Sequence, residues 1–248
     1  MKKFLHKMNR GIVLFLILLI GFCVFVIIQT KNFQTEKQEI MKLCDEFCKE
    51  TSEVLTTPQS CYKKSDKLTD EQTKLLDENL QKYMSIWTTA DKIDSIEYYT
   101  GANEMEKIIK EATEENALTN GYIESMLYTL GDDIYIQRMS DTYATANFSV
   151  KYTIKHNNYV RVPLAKTSDD IYNGYEQPDV YKTEENKYET AEKTLTQKEF
   201  DELKDSFESA KTKTYLDTNY NIYFKKTADG WKVAYCEISI YGEGTTQG

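Results

Sequence analysis

The chain has 248 residues, enough for one domain with additions or two small domains. Hydrophobic residues make up 40% and charged residues 29%, with 10 Gly and 3 Pro, which excludes collagenous, low-complexity and wholly disordered chains. The formal charge is −9, a balance that repels phosphate backbones and weighs against nucleic acid as a partner.

The first element is an uncharged run at residues 11–28, built from Ile, Val, Leu, Phe and Cys apart from Gly11 and Gly21. Its 18 residues rise about 27 Å as a helix, close to the roughly 30 Å of a hydrocarbon core. A cleaved signal peptide is the rival reading, but its apolar region is typically about 7–15 residues and ends in a small-x-small site. Here the run leaves through Ile27-Ile28-Gln29-Thr30-Lys31, and Cys23 follows Phe22 rather than the small residue a lipoprotein needs. The expectation is an uncleaved transmembrane anchor. Lys2, Lys3, Lys7 and Arg10 precede it without an acidic residue, so residues 1–10 are expected as a cytoplasmic tail and the rest outside the cell membrane, in a single-pass topology. Taking those four from the 31 basic residues leaves 27 against 40 acidic ones beyond the span.

A membrane-proximal helix is expected over 29–57, because Ile40, Cys44, Phe47, Cys48, Thr51 and Leu55 recur at steps of three and four. A second helix, from about Asp70 to Trp87, has Thr69 as its cap, and a shorter third covers Glu104 to Asn116. Beyond Gly121 the period becomes two. Strands are expected at Ile123 to Leu130 and Ile134 to Met139, and a long one carries Ala144, Ala146, Phe148, Val150, Tyr152 and Ile154 inward. It is expected to turn at His156-Asn157-Asn158 into Tyr159 to Leu164. Residues 165–210 form a polar insertion, ending in a helix with a Thr196/Glu199 capping box and a Leu195/Phe200 staple. A final hairpin runs from Leu216 through Ala228-Asp229-Gly230 to Ile240, before a flexible tail at 242–248. The extracytoplasmic α+β domain is thus 58–241.

Helices followed by a meander of long antiparallel strands, closing on Asp229-Gly230-Trp231-Lys232-Val233, resemble the nuclear transport factor 2-like fold over about residues 35–241. The resemblance implies an α+β cone in which a curved antiparallel sheet wraps the amino-terminal helices, and the insertion is a departure from the minimal pattern. With its single amino-terminal anchor, the architecture also resembles the bitopic assembly factors of type IV secretion and conjugation machines. That implies a non-enzymatic scaffold whose partners are the bilayer, other envelope or secretion-complex proteins and, as an option, further copies of itself. The competing reading is a ligand-binding or sensory ectodomain that uses the cone cavity; relatives with an acidic base imply a third, enzymatic one, for which Asp141 and Glu237 are the candidate carboxylates, each of them otherwise a solvated strand-end charge.

The remaining chemistry is sparse. His156 is the one histidine beyond the anchor, and a turn position leaves it exposed. Cys44, Cys48, Cys61 and Cys236 allow two disulfides in an oxidising space, with Cys48–Cys61 and Cys44–Cys236 the favoured pairing; the alternative is four small buried hydrophobes. Tyr172, Tyr175, Tyr181 and Tyr188 in the polar insertion are candidates for an interaction surface. No Gly-rich phosphate loop, HExxH, CxxC pair or acidic calcium loop occurs, so no catalytic residue, cofactor or metal is expected.

Overall fold

The computed structural model describes residues 10–62, 65–90, 99–119, 121–157, 160–164, 171–172, 181–182, 188–189, 194–196, 198 and 211–247, in part as backbone alone. Helix α1 spans Arg10–Leu55 without interruption. Its apolar run stands out from the domain, with Leu14, Phe15, Ile17, Leu18, Ile20 and Phe22 each about 60% exposed. From Ile40 onward the same helix is buried along one stripe, through Leu43, Cys44, Phe47, Cys48, Val54 and Leu55, the three-and-four spacing that turns one face to a core. It stops before Pro58, where the preceding residue cannot stay helical, and Thr57 N–H is taken up by the Ile123 carbonyl. Among the described residues no helix is long and apolar enough to cross a membrane; within the uncharged run, the described side chains are Ile12 and residues 14–25.

A 3-10 turn, Gln59–Cys61, leads to α2, Asp70–Met84, which opens on a full capping box: Gln72 N–H donates to Thr69 Oγ1 and Thr69 N–H to Gln72 Oε1. Strand β1, Thr100–Gly101, precedes α3, Ala102–Thr119. The main sheet follows with β2 at Ile123–Leu130, β3 at Tyr135–Arg138 and β4 at Tyr143–Asn157. The insertion contributes backbone strands β5 (Arg161–Val162), β6 (Ile171–Tyr172), β7 (Tyr181–Lys182), β8 (Tyr188–Glu189) and β9 (Thr194–Leu195). Strands β10, Lys211–Thr227, and β11, Gly230–Gln247, close the chain.

The sheet order is β1-β11-β10-β4-β2, with β3 also on β4, and every pairing is antiparallel. The helices pack on one face of it, in an α+β fold. Register shifts at Asp217/Thr218 and Tyr223/Phe224 in the β10–β11 ladder bend the long strands. Gly230 takes φ 105° at the hairpin turn, a conformation that costs a side-chain-bearing residue. At Gly131 a Cβ would collide with the Ser149 hydroxyl, which lets Gly131 N–H reach the Ser149 carbonyl at 2.8 Å.

Three expectations are corrected. Residues 242–247 are no flexible tail: they pair with 212–217, from Gly242↔Asp217 to Gln247↔Thr212, because β10 begins at Lys211 and supplies the backbone partners. The long strand runs on through His156 and Asn157, held by Ile123 on one side and Thr212 on the other. Arg161–Val162 then pairs with Ile171–Tyr172 instead of hairpinning onto β4, tied to α3 by two bonds with the Asn116 amide at 2.7 and 2.8 Å. Of the stapled helix, Thr196 and Lys198 are described and exposed; Glu199, Phe200 and the rest lie outside the described residues.

Candidate functional site

Any pocket of a cone would lie between α1, α2 and the inner face of the sheet. Alternation in β4 points Phe148 and Tyr152 there, and alternation in β10 adds Tyr220 beside them. Helix α1 brings Cys44, Phe47 and Cys48 down from above, while Tyr83 ends α2 and Trp87 follows it. These rings touch one another. Phe47 lies 5.2 Å from Tyr220 edge-on, 6.0 Å from Trp87 and 6.4 Å from Tyr83, and Phe148 stacks on Tyr220 at 5.7 Å. Such tilted and offset contacts add to simple area burial. The interior between helices and sheet is occupied by aromatic side chains.

Its polar atoms are hydroxyls, thiols and the Trp87 indole N–H. Tyr152 and Tyr220 share a buried hydrogen bond of 3.1 Å, and Tyr83 sits within reach of Thr51 and Trp87. Burial, reinforced by neighbouring tyrosines and thiols, raises Tyr152 and Tyr220 well above the usual phenol value, so the cluster is neutral at physiological pH. The proposed carboxylates lie elsewhere. Asp141 has an 87% exposed side chain paired with Arg138 at 2.5 Å, and Glu237 alternates with buried Cys236 and Ile238 to the other face of the sheet, beside Tyr99. Among the described residues no group of three His, Cys, Asp or Glu side chains is placed to hold a metal.

The four cysteines are free and buried, which corrects both proposed disulfides. Cys44, Cys48 and Cys236 belong to the main core, whereas Cys61 packs with Leu76, Ala117 and Leu68 in a separate small cluster. Cys61 and Cys48 therefore do not meet. Burial pushes the Cys48 thiol up to about 12, against a smaller lowering by the Tyr152 hydroxyl, and raises Cys44, Cys61 and Cys236, leaving little thiolate to react. In the folded protein these four thiols are expected to resist an aromatic disulfide reagent and to react after denaturation. Rapid modification of any of them under native conditions would contradict their placement.

His156 is the residue whose position the sequence concealed most. It is 1% exposed, with Nε2 3.0 Å from Thr214 Oγ1 and Nδ1 close to the Asn157 carbonyl. Burial lowers its pKa, against a smaller rise from the Asn157 carbonyl. A histidine whose folded pKa lies below its unfolded value of 6.5 binds its proton more readily when unfolded, so stability is complete above that value and falls as pH drops toward the folded pKa. The urea midpoint of the wild type is expected to fall from about pH 7 to about pH 5 more steeply than that of His156→Gln. Parallel slopes would show that His156 is not the titrating group.

Among the tyrosines proposed for an interaction surface, Tyr172, Tyr181 and Tyr188 fall in β6, β7 and β8, with Lys182↔Tyr188 and Tyr181↔Glu189 in register. Their side chains, and Tyr175 altogether, lie outside the described residues. The insertion joins the sheet at one end, where Asn157 meets Lys211. Helix α1 meets the opposite end of β4, where Phe33 lies under the Arg138 guanidinium and Arg138 pairs with Ala144.

No protein-family model matches the chain, and no curated protein matches it. Among solved structures it is similar to a type 2 hexachlorocyclohexane dehydrochlorinase (LinA), at 9% identity and TM-score 0.36 over 69% of this chain and 78% of that one. The type 3 LinA of Novosphingobium barchaimii LL02 gives 9% and 0.35, over 69% and 80%. A nuclear transport factor 2-like family protein of Streptomyces avermitilis gives 15% and 0.28, over 65% and 82%. Likeness at this level carries no argument about activity.

Proposed function

We propose that the protein is a single-pass membrane protein, amino terminus cytoplasmic, whose extracytoplasmic α+β domain of the nuclear transport factor 2-like type acts as a non-enzymatic scaffold or interaction module. The observation that carries this reading is the two-part character of α1. Its first half is apolar on all sides and exposed, its second half is buried along one stripe, and a single unbroken helix joins them. A helix hydrophobic all round requires a surrounding apolar medium, and the domain supplies none for residues 14–25.

Among the described residues, rings fill the space between helices and sheet, which supports a scaffold over a ligand-binding or enzymatic cone, since both of those need an open concavity with polar groups converging on it. The insertion joins the sheet at the end remote from the proposed anchor, where Asn157 meets Lys211. The more specific assignment to a conjugation or type IV secretion complex rests on architecture alone, and none of the comparisons adds to it.

In-cell crosslinking of the tagged full-length protein, mild detergent extraction and mass spectrometry test the reading. Several envelope proteins recovered at fixed ratios are the expected outcome. Recovery of the protein alone, as a monomer, would overturn the scaffold and turn attention to small ligands.

A further inference from the structure

Because α1 is one helix, it fixes the height of the domain above any bilayer that holds residues 11–28. Residues 29–32 climb about 6 Å, roughly the depth of one headgroup layer. The next turn carries Phe33 and Glu36, and both are gripped by the domain. The Arg138 guanidinium lies 5.8 Å from the Phe33 ring centroid, and Lys226 Nζ lies 2.6 Å from the Glu36 carboxylate. Arg138 opens the turn from β3 to β4, and Lys226 stands one residue before the turn-closing Thr227↔Gly230 pair of β10 and β11. Two hairpin tips therefore ring the base of the stalk at headgroup level.

Their chemistry differs from that of the domain as a whole. Residues 138–142 and 225–232 hold Arg138, Lys225, Lys226 and Lys232 against Asp141 and Asp229, with Glu36 of α1 paired to Lys226, where the chain beyond residue 28 has 40 acidic residues to 27 basic. Lys225 and Lys232 face each other across the hairpin and bond the backbone carbonyls of Thr89 and Ser85. Met139, at the tip of the other turn, is 54% exposed. A net-acidic domain tethered this close would be repelled by an anionic leaflet unless its near end were basic, and each Lys or Arg at such a surface is attracted.

The geometry points to a basic collar, made of Lys225 and Lys232, with Arg138 and Lys226 already held to Asp141 and Glu36 and with exposed Met139 next to Arg138, that seats the domain on anionic lipid headgroups. The collar rests on the anchor proposed above. It gives the domain a fixed orientation, with the Asn157–Lys211 end of the sheet away from the bilayer.

The test uses the full-length protein carrying Cys23→Ser, with a fluorophore on Met139→Cys or, at the remote end of α3, on Thr119→Cys. Each is reconstituted into phosphatidylcholine vesicles with or without phosphatidylglycerol, together with a headgroup nitroxide quencher. The expected result is quenching at 139, greater in the anionic vesicles, and none at 119. Lys225→Gln with Lys232→Gln lowers the equilibrium for headgroup contact about fivefold per lysine. Equal, weak quenching at both positions in protein that stays with washed vesicles would overturn the collar and leave the anchor standing. Protein that washes off the vesicles would overturn the anchor and the collar with it.

Discussion

Replacing Phe47 with alanine lowers the free energy of unfolding by about 3–5 kcal/mol, the range for removing a fully buried aromatic ring. Phe47 is 0% exposed and contacts Tyr83, Trp87 and Tyr220, so it joins α1, the end of α2 and the sheet at one point. None of these neighbours can collapse far into the space it leaves, since each ring is held by its own element. Urea titration of the soluble signal from the domain, at unchanged m-value, measures the loss. Tyr220→Phe, which keeps the ring and removes only the hydroxyl shared with Tyr152, is expected to cost about 0.5–1.5 kcal/mol. If both variants cost the same small amount, the aromatic cluster is not what binds helix to sheet.

The second large effect tests the proposed anchor. Residues 11–28 contain 15 Leu, Ile, Val and Phe, which together favour insertion by about 4.5–9 kcal/mol, while one arginine at mid-membrane opposes it by about 2.5–3.5. A single arginine is therefore absorbed, two about balance the gain, and three exceed it. Leu18→Arg with Leu19→Arg and Ile20→Arg is expected to release the protein from carbonate-washed membranes, whereas the wild type and each single variant stay in the pellet. A triple variant that still pellets would show that something other than this run holds the protein there.

The parts of the fold that rest on local periodicity were legible. The alternation from Ala144 to Ile154 and from Leu216 to Phe224 matches the buried faces of β4 and β10, since a strand with one face on a core must alternate. The stripe from Ile40 to Leu55 and the Thr69 cap were readable for the same local reason. What stayed hidden depends on partners far along the chain. His156 looked like a turn residue because its neighbours are polar, yet Ile123 and Thr214, distant in sequence, bury it. The glycine-rich stretch after Ile240 looked like a tail because its strand partner begins at Lys211, beyond a polar insertion. Cysteine spacing could not distinguish bridges from packed thiols, since the separation of Cys61 from the main core is set by how α2 and α3 close around it. The filled interior was likewise unreadable, because inward-facing aromatics line a pocket or plug it depending on how closely α1 approaches.

The placement of the domain outside the membrane is the claim on which the rest depends, and cysteine accessibility in intact cells tests it most directly. Cys44, Cys48, Cys61 and Cys236 are buried and so silent, and Cys23 is replaced by serine, leaving Thr119→Cys as the reporter on the exposed end of α3. Treatment of whole cells with a membrane-impermeant maleimide is expected to label position 119 without permeabilisation. Labelling only after the membrane is opened would put the domain on the cytoplasmic side and contradict the account.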